Sequence, residues 1–352
     1  MTASLESLPA VQATGLGTSL EALRAYLKCV VPEAGILQRV DRLGGGQSNP
    51  TFRLFLSAGD LVLRRKPPGP LLPSAHAIER EHRVMSALRG STVPVPPVLH
   101  FCSDEALLGS PFYIMQFMPG RIFWDARLPD CTPVERARIY AEMGDVLAAL
   151  HSIDPSAIGL HDFGRPGEYF SRQIRRWTDQ YRASETHVRD CMDSLIEWLP
   201  RNLPPDDGRV ALTHGDYRLD NIVFDAEGRA VALLDWELST LGHPLADLAY
   251  QCAQWRLPTG AMRGLQGVDR HAIGLPTEAE YVDRYCSARG IHAIPHWSFY
   301  LAVSLFRLAA ICQGVYRRSL GGNATGTDAA DFSRRTDIIA ACAVEIIARE
   351  SR

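Results

Sequence analysis

One stretch constrains this chain more than any other. Between His214 and Glu237 the sequence reads His-Gly-Asp-Tyr-Arg-Leu-Asp-Asn, then two short apolar runs around Ala226-Glu227-Gly228, then Leu-Leu-Asp-Trp-Glu. The runs Asn221 to Asp225 and Ala230 to Leu234 have β character, and the turn residues between them close a hairpin. A hairpin brings the residues at its two open ends side by side. Asn221 and Asp235 are therefore expected to be neighbours, with Asp216 a few residues upstream on a loop. Oxygen donors in that arrangement suit Mg²⁺, which keeps several waters and takes one or two protein oxygens plus substrate phosphates. Any single Asp or Asn here is equally well explained as a turn former. Their spacing about one hairpin is not.

The residues around the hairpin read as helical. Thr132-Pro133-Val134-Glu135 combines a capping box with Pro at the first helical position and opens a helix to about Leu150. A second is expected over Tyr169 to Tyr181, and the stretch from about Glu278 to Arg349 is almost wholly helical in pattern. Upstream the character changes. After a short helix over about 19 to 29, opened by Thr18-Ser19-Leu20-Glu21, come β segments at Thr51 to Leu56 and Leu61 to Lys66, joined by Ser57-Ala58-Gly59-Asp60. A helix is predicted from Ala75 to Leu88 behind Ser74 as N-cap, and a strand from Phe112 to Phe117. Met118-Pro119-Gly120 then marks a boundary. The expected fold class is α+β with two lobes: a β-rich N-terminal lobe with its leading helix over 1–118, and a larger, mostly helical C-terminal lobe over 119–352.

Composition narrows the function classes. At 352 residues, with 46% hydrophobic and 22% charged residues, the chain builds a core large enough for an enzyme. Its 37 Lys and Arg against 40 Asp and Glu give a net charge of -3, which speaks against a nucleic-acid partner held by phosphate neutralisation. The 8 cysteines form no C-x-x-C, so neither zinc site nor disulfide framework is expected, and free thiols in a cytoplasmic setting are. Met1 to Ala10 lacks the basic start of a secretory signal. The apolar run Trp297 to Cys312 contains Arg307 and falls short of the roughly 20 residues a bilayer requires, so a core helix and no membrane partner are expected.

The motif His214-x-Asp216-x4-Asn221 followed by Asp235 resembles the catalytic loop and metal-binding Asp of the protein-kinase-like fold. The Gly of His-Gly-Asp is similar to the aminoglycoside phosphotransferase and choline kinase branch. The resemblance implies ATP and Mg²⁺, with Asp216 taking or orienting the acceptor's hydroxyl proton and Asn221 and Asp235 holding the metal. It places Arg218 where it stabilises charge on the moving phosphoryl group, the alternative being a surface Arg paired with Asp220. Gly44, Gly45, Gly46 and Ser48 resemble the phosphate-covering loop, although three glycines are more often a flexible turn. Leu61-Val62-Leu63-Arg64 resembles the strand that carries the nucleotide-pairing Lys, with Arg in its place. Arg64 and Lys66 share one strand face, and Arg64 is favoured. Glu81 is expected to pair with Arg64, with Glu79 as its competitor. Gln116 and Met118 resemble the adenine hinge. Gly242-His243-Pro244-Leu245-Ala246-Asp247-Leu248-Ala249 is similar to the family's G-x-P-x-x-D-L-A motif, in which Asp247 braces the catalytic loop. The short span from Asp235 to Asp247 leaves no room for a peptide platform, so a small hydroxylated substrate follows. His243 replaces an acidic residue and receives no role.

The resemblance narrows at Leu63-Arg64-Arg65-Lys66-Pro67-Pro68-Gly69 and Arg172-Gln173-Ile174-Arg175-Arg176-Trp177 to the kinase-like domain of the acyl-CoA dehydrogenase 10 and 11 group. That branch implies a hydroxyacyl-CoA as acceptor. The competing readings are an aminoglycoside, other amino-alcohol or sugar phosphotransferase, and a pseudokinase that only binds nucleotide. A metallophosphoesterase would need an upstream Asp-x-His that is not found. Charge favours an anionic acceptor: Arg172, Arg175, Arg176 and Arg182 stand against Glu168 and Asp179, and Arg284, Arg289, Arg307, Arg317 and Arg318 stand against Asp283 alone. The bland alternative is that these arginines pair with carboxylates elsewhere. Oligomeric state leaves no mark in the sequence.

Overall fold

The computed structural model describes residues 2–4, 15–44, 49–67, 77–320 and 329–350. The elements up to the hairpin are β1 (Thr2–Ser4), α1 (Leu20–Val30), β2 (Leu37–Arg42), β3 (Thr51–Leu56), β4 (Leu61–Arg65), α2 (Ile78–Ala87), β5 (Val98–Cys102), β6 (Phe112–Gln116), β7 (Arg121–Phe123), α3 (Pro133–Ser152), α4 (Tyr169–Ser184), α5 (Asp190–Arg201), β8 (Ala211–Thr213), β9 (Ile222–Phe224) and β10 (Ala230–Leu233). Beyond it follow β11 (Thr240–Gly242), α6 (Leu245–Cys252), α7 (Arg270–Ile273), α8 (Glu278–Arg289), α9 (Trp297–Leu320) and α10 (Ala329–Glu350). This is the α+β class expected. The chain divides into two compact units, one of Met1–Trp124, Ser156–Leu160 and Arg218–Ser239, the other of Asp125–Pro155, His161–Tyr217 and Thr240–Arg352.

The first unit is built on a five-stranded antiparallel sheet in the order β2-β3-β4-β6-β5. Ser19 caps α1 by accepting the Ala22 amide at 3.1 Å. The buried face of α1, Leu23 and Leu27, joins Phe52, Leu54, Leu63 and Ile114 in one apolar core. The described part of α2 opens at Ile78, and its N-cap, Ala77, gives no side-chain hydrogen bond. The expected cap Ser74 lies outside the described residues. A second sheet runs β1-β7-β9-β10, in which β7 pairs with β9 at Arg121 and Phe224. A lone two-stranded hairpin is marginal in water. Here β7 supplies the hairpin with a further strand, so the hairpin groups with the first unit instead of the helical part in which the sequence places it. For the same reason the chain stays in the first unit past Met118-Pro119-Gly120, as far as Trp124.

The second unit is helical around the pair β8 and β11. Both oxygens of the Thr132–Glu135 capping box are in place at the start of α3. The helix ends about where its apolar stripe does. Buried tyrosines tie the unit together: Tyr140 Oη donates to the Ala126 carbonyl and Tyr217 Oη to that of Met143, each at 2.7 Å. Among the described residues α9 is the one helix long and apolar enough to cross a bilayer, and 67% of its most apolar window is buried inside the protein. The strands β2, β5, β7, β8 and β11 and the helix α5 are elements that the sequence reading did not anticipate.

Candidate active site

In the first unit the site is built around Arg64. On β4 it stands opposite Thr51 on one side and Tyr113 on the other. Its guanidinium reaches two carboxylates, with Nε 3.0 Å from Glu81 Oε2 and Nη2 2.6 Å from Asp235 Oδ1. Arg64 and Glu81 thus pair as expected, and Glu79 is not the partner. Glu81 is 1% exposed, and Tyr113 Oη (2.9 Å) and Asn49 Nδ2 (2.8 Å) donate to it. Burial pushes the Glu81 carboxyl above its ordinary value, against the pull of Arg64. For Arg64, burial works against the charge, but Glu81, Tyr113, Asp235 and Glu237 outweigh it and hold the guanidinium protonated. With a second carboxylate at 2.6 Å, Arg64 keeps that charge whichever state Glu81 is in.

The neighbours on β4 behave differently. Arg65 points to the other side and is buried, donating to the Leu16 (2.6 Å) and Leu108 (2.8 Å) carbonyls, a structural task. Lys66 lies past the end of the strand and does not line the slot that Arg64 borders. That slot, of about 90 Å³, is walled by Val62, Met85, Met115, Met118, Val223 and Leu234. At its hinge side the amides of Gln116 and Phe117 donate to the Pro97 (2.9 Å) and Asp60 (3.1 Å) carbonyls, whereas the Met118 amide has no partner among the described residues. Gly44 is exposed with open space around it, and Gly45, Gly46 and Ser48 lie outside the described residues.

The hairpin ends meet as its pattern requires, the Leu234 amide donating to the Asn221 carbonyl at 2.8 Å. Asn221 is buried. Asp235 holds a left-handed backbone, φ 64° and ψ 60°, a region in which Asp is among the few tolerated residues. Arg218 pairs with Asp220 at 3.1 Å and its side chain is 42% exposed, so the pairing named as its alternative is present. An exposed pair of this kind is worth at most about 1 kcal/mol and does not tie the side chain down. Glu237 was not singled out from the sequence. Its carboxylate, with those of Glu81 and Asp235, could form an oxygen cluster for a cation. The Arg64 guanidinium already neutralises two of the three.

In the second unit the decisive group is Asp247. It is 1% exposed, and its two oxygens accept the backbone amides of His214 (2.6 Å) and Gly215 (2.8 Å). His151 Nε2 adds a contact at 3.3 Å, and His151 Nδ1 is 2.7 Å from Tyr285 Oη. Burial pushes the Asp247 carboxyl up, but His151 and the amide contacts prevail and set it below its ordinary value. Gly215 adopts φ 82°, which explains a glycine between His214 and Asp216. The Asp216 amide donates to His214 Nδ1 at 3.2 Å. Arg307 of α9 donates to the Gly215 carbonyl, and its guanidinium lies over Trp177 (5.4 Å) and Tyr250 (5.0 Å). Asp216 is the penultimate residue before the chain passes into the first unit at Arg218. His243, unexplained by the sequence, is structural: its Nδ1 accepts the Leu245 amide and its Nε2 lies 3.2 Å from Asp207.

With this geometry in view, residues 39–293 match the model of the family described as "Phosphotransferase enzyme family". The chain belongs to this family. It is 46% identical over 335 residues to acyl-CoA dehydrogenase family member 10 of Mus musculus, a match covering 94% of this chain and 31% of that protein. The chain spans less than half the length of such relatives. A crystal structure of a candidate aminoglycoside phosphotransferase from Ralstonia eutropha is similar with a TM-score of 0.85 and 46% identity, over 94% of this chain and 98% of that one. Spectinomycin phosphotransferase, solved with ADP and its antibiotic, superposes with a TM-score of 0.62 at 12% identity over 93% and 98% of the two chains, a likeness of fold alone.

Proposed function

We propose that this phosphotransferase is an ATP- and Mg²⁺-dependent small-molecule kinase whose acceptor is an anionic alcohol, a hydroxyacyl-CoA. The observation that carries the nucleotide half is Arg64, fixed between two carboxylates at the edge of an apolar slot whose hinge has a Met118 amide without a partner among the described residues. In this reading adenine lies in the slot, with the Gln116 carbonyl and the Met118 amide as its partners. Arg64 contacts the phosphates, oriented by Glu81, and Gly44, Gly45, Gly46 and Ser48 cover them. Asn221 and Asp235 offer an amide and a carboxylate oxygen, hard donors that fit Mg²⁺. When bound, the metal offsets phosphate charge and aligns the phosphoryl group.

The chemistry that the chain itself supplies is positional and acid–base. Asp216 accepts the proton of the acceptor hydroxyl as its oxygen bonds to the γ-phosphorus and the bond to the β-phosphate oxygen breaks, releasing ADP. Arg218 leaves its weak pair with Asp220 to meet charge on the transferring group. Asp247 holds the loop that presents Asp216, with two backbone amides fixed on one carboxylate.

Support for an anionic acceptor comes from arginines that the second unit does not neutralise. Arg182 pairs with Glu185 and Asp193, and Arg284 with Asp145, as the bland alternative holds. Arg175 and Arg176 have no carboxylate partner among the described residues, and Arg307 is planted on the catalytic loop itself. A polycationic aminoglycoside would meet these charges unfavourably. The 8 free cysteines accord with a cytoplasmic site of action. The test is phosphoryl transfer from Mg-ATP to 4-hydroxyacyl-CoA and to kanamycin side by side, with the product located by mass spectrometry. Saturable turnover of the CoA ester is expected. Turnover of kanamycin alone overturns the acceptor, and no Mg-ATP binding at all overturns the kinase reading.

A further inference from the structure

The second unit contains a cavity that the chemistry above leaves unused. Its volume is about 350 Å³, within the range of small-ligand sites. It lies among the loop before α4, the loop after α5 and the end of β11. The floor is aromatic: His243 stacks on Tyr300 with centroids 5.7 Å apart and planes at 16°, and Phe170 lies 5.0 Å from each. The sides are aliphatic, with Leu203 and Val210 each 40% exposed. An apolar floor with exposed aliphatic walls is surface that gains by being covered.

Two of the three carboxylates at its edge, Asp206 and Asp207, are already engaged. Asp207 accepts from Arg209 Nε at 2.6 Å and faces His243 Nε2, while Asp206 accepts the Glu168 amide at 2.7 Å and the Gly208 amide at 3.0 Å. With those two charges satisfied inside the protein, the aromatic floor and aliphatic sides are left to a ligand, beside a polar rim that includes Arg165, Glu168 and Arg209.

One wall connects it to the catalytic loop. The Tyr169 ring lies so close to Gly242 that a Cβ there would come within 2.6 Å of it and 3.0 Å of Thr213 Oγ1. Thr213 is the residue before His214. The Tyr169 hydroxyl, pushed up to about 12 by burial, feels the positive charge of Arg307, which holds the Gly215 carbonyl. Tyr169 thus lines the cavity and packs on Gly242, against which Thr213, the residue before the catalytic loop, also lies.

We infer that this cavity receives the hydrocarbon chain of the acceptor, an acyl tail running past Tyr169 while the substrate hydroxyl lies at Asp216. The identity of the whole substrate rests on the hydroxyacyl reading above, whereas the affinity for a chain does not. Binding of butanoate, octanoate and decanoate to the 352-residue chain, measured by calorimetry, separates the two. Affinity is expected to rise about threefold to fourfold per methylene until the cavity is full. Val210→Trp and Leu203→Trp, both at exposed positions, should remove most of that rise with an unchanged melting temperature. A flat response to chain length in the wild type overturns the inference, as does a rise that survives in both folded variants. If the rise is present and lost in the variants while no hydroxyacyl-CoA is phosphorylated, the cavity stands and the acceptor reading falls.

Discussion

Glu81 in the first unit and Asp247 in the second are equally hidden, each 1% exposed, yet their acidities move in opposite directions. Glu81 is raised, since burial is its largest influence and Asp235 adds to it against the pull of Arg64. Asp247 is lowered, since His151 and two backbone amides surround it with donors that prevail over burial. Burial alone therefore predicts the direction at Glu81 and fails at Asp247. The difference teaches what each region needs. Around Arg64 the charges are left adjustable, as the proposed phosphate site requires. Around Asp247 the charge is locked, because a loop of backbone depends on it.

The largest expected effect tests the locked side. Asp247→Ala leaves two buried amides and His151 without their acceptor and should cost about 3 to 5 kcal/mol of stability by urea unfolding. A loss below about 1 kcal/mol would break the comparison. Next is Asp216→Asn, which should lower kcat by roughly 10²-fold while leaving Mg-ATP affinity and the melting temperature unchanged. Normal turnover would remove Asp216 from the chemistry. On the adjustable side, Arg64→Ala should weaken Mg-ATP binding about tenfold, the loss of one charge-assisted contact, with Lys66→Ala silent. The reverse result would move the phosphate contact to Lys66.

The smallest effect is the most diagnostic. A carboxyl depressed in the fold contributes stability above its unfolded pKa of about 3.9, lost as pH falls through the lower folded value. That is Asp247, so its contribution makes stability rise with pH. A carboxyl raised in the fold contributes stability below its unfolded value of about 4.3, lost as pH rises through the higher folded one. That is Glu81, and its contribution runs the other way. Asp247→Asn should flatten the acid limb of the stability curve, and Glu81→Gln should steepen it. Tilts of the same sign would show that the two sites do not differ as described.

What the sequence reveals follows from distance along the chain. The hairpin that unites Asn221 and Asp235 is local, as is the capping box of α3, and both can be seen in their turn and cap residues. Arg64 and Glu81 are separated by a strand exit and a helix entry, and only the resemblance to the family's helix pattern paired them. Asn49, Tyr113, His151, Tyr285 and Arg307 reach their partners across tertiary packing, and nothing in their neighbours announces it. Glu237 could have been found, for it follows Asp235 by two positions in the same short turn. The strands β8 and β11 are too short for a periodic signal, and the hairpin joins the first unit only because β7 is there to pair with it.

The left-handed turn at Asp235 also limits what a descendant of this protein could become. Ordinary side chains resist that backbone, while Gly, Asn and Asp accept it. A duplicated copy released from selection for catalysis would drift at this position toward Asn or Gly and away from Val or Ile, because the hairpin end must still turn. Asp216 is under no such restraint, since its backbone is not left-handed. Decay in such a lineage would thus be written most variably at 216, while position 235 stayed within the few residues that the turn accepts.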